Sequence, residues 1–204
     1  MTIPVNLATE DELSETVLRR LLDHAERGYA IGAAFGRRGF GYLRGSIANW
    51  NHAARFVPFV VLTDLDRRPC PAGLVKDWLG EAKHPNLLLR VAVREVEAWL
   101  LADRASIARF LHVSEKWVPL DPDGLSDPKA ALVDASRRSR SEMIRERIAP
   151  KRGSTATQGR EYNACLAEFV QTDWSIEEAA SHSASLKRTV ARLRSFTPVW
   201  SDRV

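Results

Sequence analysis

The segment VPFVVLTDLDRRPCP, residues 57–71, is the feature that most restricts the fold of this chain. A short apolar run rich in β-branched residues, ended by turn residues and prolines, is typical of a buried strand in an α/β sheet. Asp64 and Asp66 stand at positions i and i+2 where this strand ends. The pattern therefore predicts both carboxylates on one side of the strand, at the carboxyl edge of the sheet, where open α/β sheets bind their ligands.

The same two aspartates suggest a metal site. Two carboxylates held close together repel each other, and a cation between them removes that repulsion. This predicts a divalent-metal site at Asp64 and Asp66. A bare D-x-D is equally compatible with a polar turn or with a cap on the following helix, and the sequence leaves that alternative open.

The rest of the pattern predicts an α/β domain followed by helices. Further strands are expected at 3–8, 29–36 and 86–93, and helices between and after them at 12–26, 42–54, 71–82 and 95–103. Beyond a proline- and aspartate-rich connector, helical patterns occupy 128–138, 141–149, 161–171 and 175–196. We predict a mostly parallel central sheet flanked by helices, formed by a domain at 1–118, with a helical C-terminal subdomain at 119–204 packed on it.

Composition restricts the setting and the partners. No run of 18 apolar residues occurs, the amino terminus does not resemble a signal peptide, and the two cysteines lie far apart. We therefore expect a cytoplasmic protein with no membrane partner. Residues 124–204 carry 14 Lys/Arg against 10 Asp/Glu, which accounts for the net charge of +4. Much of this excess lies in 137–152, which predicts either a polyanion-binding face or an ordinary solvated helix.

Acidic residues follow three of the predicted strands. Glu10, Asp11 and Glu12 follow the first strand, Asp64 and Asp66 end the third, and Glu95 and Glu97 follow the fourth. The carboxyl ends of parallel strands share one edge of a sheet, so residues that are distant in sequence are expected to converge there.

This arrangement resembles the Toprim fold of topoisomerases, primases and OLD-type nucleases, in which a glutamate follows the first strand and a D-x-D follows the third. More closely, the chain is similar to Toprim-like proteins of unknown function found near restriction and abortive-infection genes. The similar stretches are ATEDELSETVLRRLL, VVLTDLDRRPCP, VREVEAWLLAD, SDPKAAL, GREYNACLAEFV and SASLKRTVARL.

The sequence departs from the family where Asp11 replaces the usual glycine after the first-strand glutamate. This leaves open whether Glu10 or Glu12 faces the site. We prefer Glu10, because Glu12 lies about one turn into the predicted helix. Of the later pair, Glu97 matches the family better than Glu95.

The resemblance implies metal-dependent phosphotransfer, most simply a nuclease acting as a hydrolase on phosphodiester bonds. Asp64 and Asp66 would bind Mg²⁺ or Mn²⁺, Glu97 would complete the ligand set, and Glu10 would act as a general acid/base or as a further ligand. Basic residues would contact the phosphates. Each of the arginines could instead form an ordinary surface salt bridge, and Lys129 could instead only start a helix. These candidates are Arg37, Arg38, Arg67, Arg94 and Lys129.

The expected partners are nucleic acid and, because no P-loop motif is present, a possible ATPase or other defence protein. A role in antiviral (phage) defence is implied by the resemblance alone. Two alternatives remain: a non-catalytic metal- or nucleotide-binding subunit of a defence complex, and a nucleic-acid-binding module that works through the basic C-terminal helices.

Overall fold

The computed structural model describes residues 2–80 and 83–200. Its strands are β1 (Ile3–Thr9), β2 (Tyr29–Gly36), β3 (Phe59–Asp64) and β4 (Leu87–Ala92). Four helices accompany them: α1 (Glu12–His24), α2 (Phe40–Ala53), α3 (Pro71–Leu79) and α4 (Val96–Ala102). The later helices are α5 (Arg104–Phe110), α6 (Pro128–Ser136), α7 (Glu142–Ile148), α8 (Tyr162–Thr172), α9 (Ile176–His182) and α10 (Ala184–Ser195). A short 3₁₀ helix spans Glu115–Trp117.

The four strands form one parallel sheet in the order β2-β1-β3-β4. The predicted α/β class, with a mostly parallel central sheet and helices in the C-terminal part, is therefore confirmed, and the arrangement is consistent with a Toprim-like sheet. Each strand–helix–strand connection joins parallel strands, as expected where strands and helices alternate along a chain.

Both faces of the sheet are covered, which explains why β3 is a nearly continuous apolar run. Val60 and Leu62 pack on one face, against a core that includes α1 and the helices from α4 onward. Val61 points to the other face, against a second core formed with α2 and α3. This second core includes Trp78, which lies on the buried face of α3.

The strand order places a topological switch point between β1 and β3. The chain leaves β1 toward β2 on one side and returns from β2 to β3 on the other side of β1. Helix α1 belongs to one core and α2 to the other, so the two connections cover opposite faces. Such a switch point opens a crevice at the carboxyl ends of the two central strands, where α/β proteins bind ligands.

The C-terminal helices share the larger core with α1 and α4. Trp99 of α4 is fully buried, and its indole N–H donates to Ser185 Oγ at the start of α10 over 2.7 Å. Trp174 Nε1 donates to the carbonyl of Trp99 over 3.3 Å. Helices α6–α10 thus share one core with α1 and α4, and the division into domains at 118/119 stays a prediction.

The last helical pattern differs from the prediction, because 175–196 forms two helices. Ser183 adopts an extended conformation between α9 and α10, and its hydroxyl accepts from the N–H of Leu186 as the cap of α10. The same hydroxyl donates to Asp123 Oδ1 over 2.8 Å. Helical periodicity continues across the break, so the pattern did not reveal it. In the predicted helix 71–82, α3 ends at Leu79, and residues 81–82 lie outside the described residues.

None of the helices within 2–80 and 83–200 is long and apolar enough to cross a membrane.

Candidate functional site

Glu10 follows β1 at the switch point and connects the two central strands. Its Oε1 accepts from Thr63 Oγ1 over 2.5 Å and from the backbone N–H of Asp64 over 2.9 Å. Burial raises the pKa of Glu10, and the two hydrogen bonds only partly oppose this. Glu12 is exposed on the first turn of α1. The structure therefore places Glu10, and not Glu12, against the end of β3.

Asp64 ends β3 and is also bound to the start of α4. Its Oδ1 accepts from the backbone N–H of Val96 over 3.0 Å. Burial, followed by the negative charges of Glu97 and Glu10, raises the pKa of Asp64 well above its ordinary value. The folded chain thus holds a carboxyl group here that favours its protonated form, and a nearby cation would favour the ionised form instead.

Asp66 lies outside β3, which ends at Asp64, so the side-chain alternation of a strand does not extend to it. The N–H of Leu65 donates to the carbonyls of Ala92 and Arg94, and Asp66 then adopts a positive φ of 50° and is exposed. Aspartate is one of the few non-glycine residues that tolerate this conformation. The charge of Asp66 contributes to the raised pKa of Glu10.

Glu97 is the most enclosed acid of the group, with 2% of its surface exposed. Its Oε1 accepts from the phenol of Tyr162 over 3.0 Å and lies 3.5 Å from Lys129 Nζ. Its Oε2 is buried with no hydrogen-bond partner among the described residues. Burial raises the pKa of Glu97, and the positive charge of Lys129 opposes that shift.

Glu95 lies beside Glu97 at the same edge and is held by the backbone of α6. Its Oε2 accepts from the N–H of Lys129 over 3.0 Å. Burial, with the charge of Glu97 as the next cause, raises the pKa of Glu95 to about 7. Glu95 and Glu97 therefore both lie at the site, whereas the sequence favoured Glu97 alone.

Two members of this environment were not among the predicted site residues. Tyr162 is fully buried beneath Glu97. Burial is the largest cause that raises the pKa of its phenol, and the negative charges of nearby carboxylates, Glu97 first, raise it further. Asp11 caps α1 by accepting from the N–H of Ser14 over 2.8 Å, and its charge also acts on Asp64 and Glu97. The GREYNACLAEFV stretch, which begins α8, was the available signal for Tyr162.

The predicted phosphate-binding arginines have different surroundings. Arg37 pairs with Glu15 over 2.8 Å, and the guanidinium of Arg38 lies 5.0 Å from the centre of the Tyr42 ring. Arg94 Nη1 donates to the carbonyls of Asp66 and Arg68, each over 3.0 Å. Arg94 thus fixes the backbone of the turn after β3, which is a positioning contact.

An open groove of about 1120 Å³ borders the acidic residues. It is lined by Phe40, Asp66, Arg67, Arg68, Arg94, Glu95, Gly124, Ser126 and Asp127. Arg67 is exposed in this groove, whereas Arg68 lies over the Phe40 ring and pairs with Asp77 over 3.0 Å. The groove therefore brings arginine side chains beside acidic ones.

The fit of a divalent cation can be judged from the donor set. Within residues 2–80 and 83–200, no group of three or more His, Cys, Asp or Glu side chains is already arranged to hold a metal ion. However, Glu97 has a buried oxygen without a hydrogen-bond partner in this part of the chain, and its charge raises the pKa of Asp64. Carboxylate oxygens are the hard ligands that Mg²⁺ and Mn²⁺ prefer, so the chemistry fits a cation that would draw these side chains together.

The fold and site together define a parallel α/β protein with a partly buried acidic site at its topological switch point. Comparison of the chain with models of known protein families, with curated proteins and with solved structures found no match.

Proposed function

We propose that the protein is a metal-dependent phosphotransfer enzyme, most simply a nuclease that cleaves phosphodiester bonds. The observation that carries this proposal is the buried, unpartnered Oε2 of Glu97 beside Asp64, whose own negative charge is strongly disfavoured. A fold retains such uncompensated acids at a stability cost, and perturbed acids of this kind cluster at functional sites. The adjoining groove with Arg67 supplies positive charge for a phosphate-bearing substrate.

Asp64 and Glu97 would hold a Mg²⁺ or Mn²⁺ ion, with Asp66 and Glu10 as further ligands. When bound, such an ion stabilises charge on a transferring phosphoryl group and activates water. Glu95 lies beside these ligands and adds negative charge.

Glu10 has the environment of a general acid/base. A base acting near neutral pH needs a pKa above that of an ordinary carboxyl, and burial provides this shift at Glu10. The hydrogen bonds from Thr63 and from the Asp64 N–H hold one carboxylate oxygen in place. The other oxygen would exchange a proton with water or with the leaving group.

Lys129 favours a second candidate function, a non-catalytic binding subunit. Its ammonium lies 3.5 Å from Glu97 Oε1 and already supplies a positive charge to the acidic site. With part of its negative charge balanced in this way, the site would bind a nucleotide or a metal while a partner ATPase or other defence protein performs the reaction. A third possibility, a plain nucleic-acid-binding module, predicts binding that is unaffected by changes at Asp64.

The deciding experiment is cleavage of mixed DNA and RNA substrates with Mg²⁺ or Mn²⁺. The wild type is compared with Asp64→Asn/Asp66→Asn and with a control double variant at two exposed aspartates, Asp134→Asn/Asp173→Asn. The asparagine at 64 keeps an oxygen that can accept from the Val96 N–H, so folding is expected to survive.

The nuclease proposal expects cleavage by the wild type and by the control, with loss of at least a hundredfold, about 3 kcal/mol of barrier, in the site variant. Metal binding by calorimetry without cleavage would favour the non-catalytic subunit. Neither cleavage nor metal binding from folded protein would overturn the enzyme proposal.

A further inference from the structure

A group of basic side chains lies between the edge strand β4 and helix α10. Arg90 belongs to β4, Arg188 and Arg192 stand one turn apart on α10, and Lys83 precedes β4. We refer to these four residues as the β4/α10 basic cluster. Arg90 and Arg188 line the same small cavity, of about 140 Å³, at the outer edge of the sheet.

The cluster is held together against its own repulsion. Burial and the charges of Arg192 and Arg188 lower the pKa of Arg90, and burial with Arg192 and Arg90 lowers that of Lys83. Arginine nevertheless stays protonated at neutral pH. Like charges at i and i+4 on a helix also destabilise it, so Arg188 and Arg192 add to this cost.

No carboxylate within the described ranges forms an ion pair with any of the four cations. Their contacts are with neutral groups: Arg90 Nε donates to Thr189 Oγ1 over 3.4 Å, and Arg192 lies 5.7 Å from the Phe196 ring centre. A cation cluster that lacks protein counter-charge is suited to bind an external anion.

The segment 137–152, which the sequence marked as basic, is different. Arg147 pairs with both Glu161 and Glu168, and Arg137 pairs with Asp134. Two of the seven basic side chains in this segment, Arg137 and Arg147, are therefore paired with carboxylates within the fold. The β4/α10 basic cluster differs in that none of its four cations has a carboxylate partner among the residues that the structure describes.

From this arrangement we infer that the β4/α10 basic cluster binds the phosphodiester backbone of a nucleic acid, as a second contact outside the acidic site. The inference rests on the proposed function in one respect, because it assumes that the bound nucleic acid continues from the cluster to the acidic site. Arg90 precedes Ala92, the residue paired with Asp64, by two positions, about 7 Å along the strand. A strand bound at the cluster therefore has a short path to the carboxyl edge.

The test measures binding of a fluorescein-labelled single-stranded oligonucleotide by anisotropy, in EDTA, over a range of salt concentrations. The variant is Arg188→Gln/Arg192→Gln, and the matched control is Lys151→Gln/Arg152→Gln, an exposed basic pair in the 137–152 segment. Loss of two phosphate contacts should weaken binding by about tenfold and reduce the slope of log affinity against log salt by about 1.4. The control should match the wild type.

A single variant keeps the test valid if the double variant does not fold. Arg188→Gln leaves the contact of Arg192 with Phe196 intact and should reduce the slope by about 0.7. Equal binding by wild type and Arg188→Gln, or equal weakening in the control, would overturn the inference. Displacement of the oligonucleotide by millimolar phosphate at constant ionic strength would also overturn it, since the cluster would then be a site for the free anion.

Failure of the proposed function gives a different result. Suppose that the wild type cleaves nothing, and that Arg188→Gln/Arg192→Gln binds the oligonucleotide more weakly than the wild type does. The cluster then binds nucleic acid and the nuclease proposal falls. If Asp64→Asn/Asp66→Asn abolishes cleavage while Arg188→Gln/Arg192→Gln binds and cleaves as the wild type does, the nuclease stands and the inference falls.

Discussion

A single carboxylate oxygen, Oε1 of Glu10, accepts from the backbone N–H of Asp64 over 2.9 Å and so joins the ends of the two central strands. Thr63 Oγ1 donates to the same oxygen over 2.5 Å. The general acid/base candidate and the metal-ligand candidate are therefore held in one hydrogen-bonded unit. Several consequences of this unit and its neighbours can be measured.

Thr63→Val should release Glu10 from one of its two donors. Valine has nearly the same shape, so the change removes a buried hydroxyl without opening a cavity. Loss of a hydrogen bond to a charged group should lower the free energy of unfolding by about 1–3 kcal/mol, as measured in urea. Thr63→Ser keeps the hydroxyl and should retain most of the stability. If Thr63→Val proved no less stable than Thr63→Ser, the Glu10 contact would be energetically unimportant.

Glu95 should make stability fall as pH rises. Its pKa is about 7 in the folded protein against 4.5 for an ordinary glutamate, so between these values the folded chain holds a proton that the unfolded chain releases. The free energy of unfolding therefore decreases with rising pH across this window and levels off above it. Glu95→Gln should make this decrease in the free energy of unfolding smaller, by an amount on the order of 1 kcal/mol once solvent screening is allowed for.

The measurement is urea unfolding of wild type and Glu95→Gln at about pH 5 and about pH 8, with the exposed Glu146→Gln as control. The difference between wild type and Glu95→Gln should widen at the higher pH. Saturating Mg²⁺ should narrow it, because a bound cation replaces the proton as the compensating charge. An identical pH dependence in all three proteins would contradict the assignment.

Glu97→Gln and Tyr162→Phe should have opposite effects. Glutamine keeps an acceptor for the Tyr162 hydroxyl but removes the charge that repels Asp64, so in EDTA at neutral pH stability should rise by about 1 kcal/mol. Tyr162→Phe removes the hydroxyl that donates to Glu97 while the charge of Glu97 stays, so it should lower the free energy of unfolding by about 1–2 kcal/mol.

Mg²⁺ separates the two variants further. At a hundred times its dissociation constant, Mg²⁺ should stabilise wild type and Tyr162→Phe by about 2.7 kcal/mol. Glu97→Gln should lose most of this gain, seen as a smaller shift in melting temperature. Equal stabilisation of Glu97→Gln and wild type would remove Glu97 from the ligand set.

Arg94 and Arg67 should separate positioning from substrate binding. Arg94→Leu removes both hydrogen bonds to the turn carbonyls and should cost about 1–2 kcal/mol, with faster amide exchange over residues 65–68. Arg67→Leu changes an exposed side chain and should leave stability within about 0.5 kcal/mol while raising KM. Unchanged exchange in Arg94→Leu would mean that the turn is held by other contacts.

Local sequence predicted much of the fold because the spacing of apolar residues within a segment reflects which face of that strand or helix is buried. β2 was predicted with its observed limits, and β3 was recognised from an apolar run that ends in aspartate. Ser175 caps α9 through a contact within the same segment, because its hydroxyl accepts from the N–H of Glu178 over 3.3 Å. The break at Ser183 was missed because it depends on Asp123, a residue sixty positions away.

The site followed a similar division. By itself the sequence determined the acidic residues, the strands that carry them and the parallel sheet whose shared edge brings them together. Only the tertiary structure decided that Asp66 adopts a positive φ after β3, that Tyr162 and Lys129 reach Glu97, and that Arg94 binds the backbone. Such contacts join residues far apart in the chain, and spacing along one strand or helix contains no information about them. The same holds for the β4/α10 basic cluster, because the sequence does not show which of the described carboxylates lie close enough to pair with its cations.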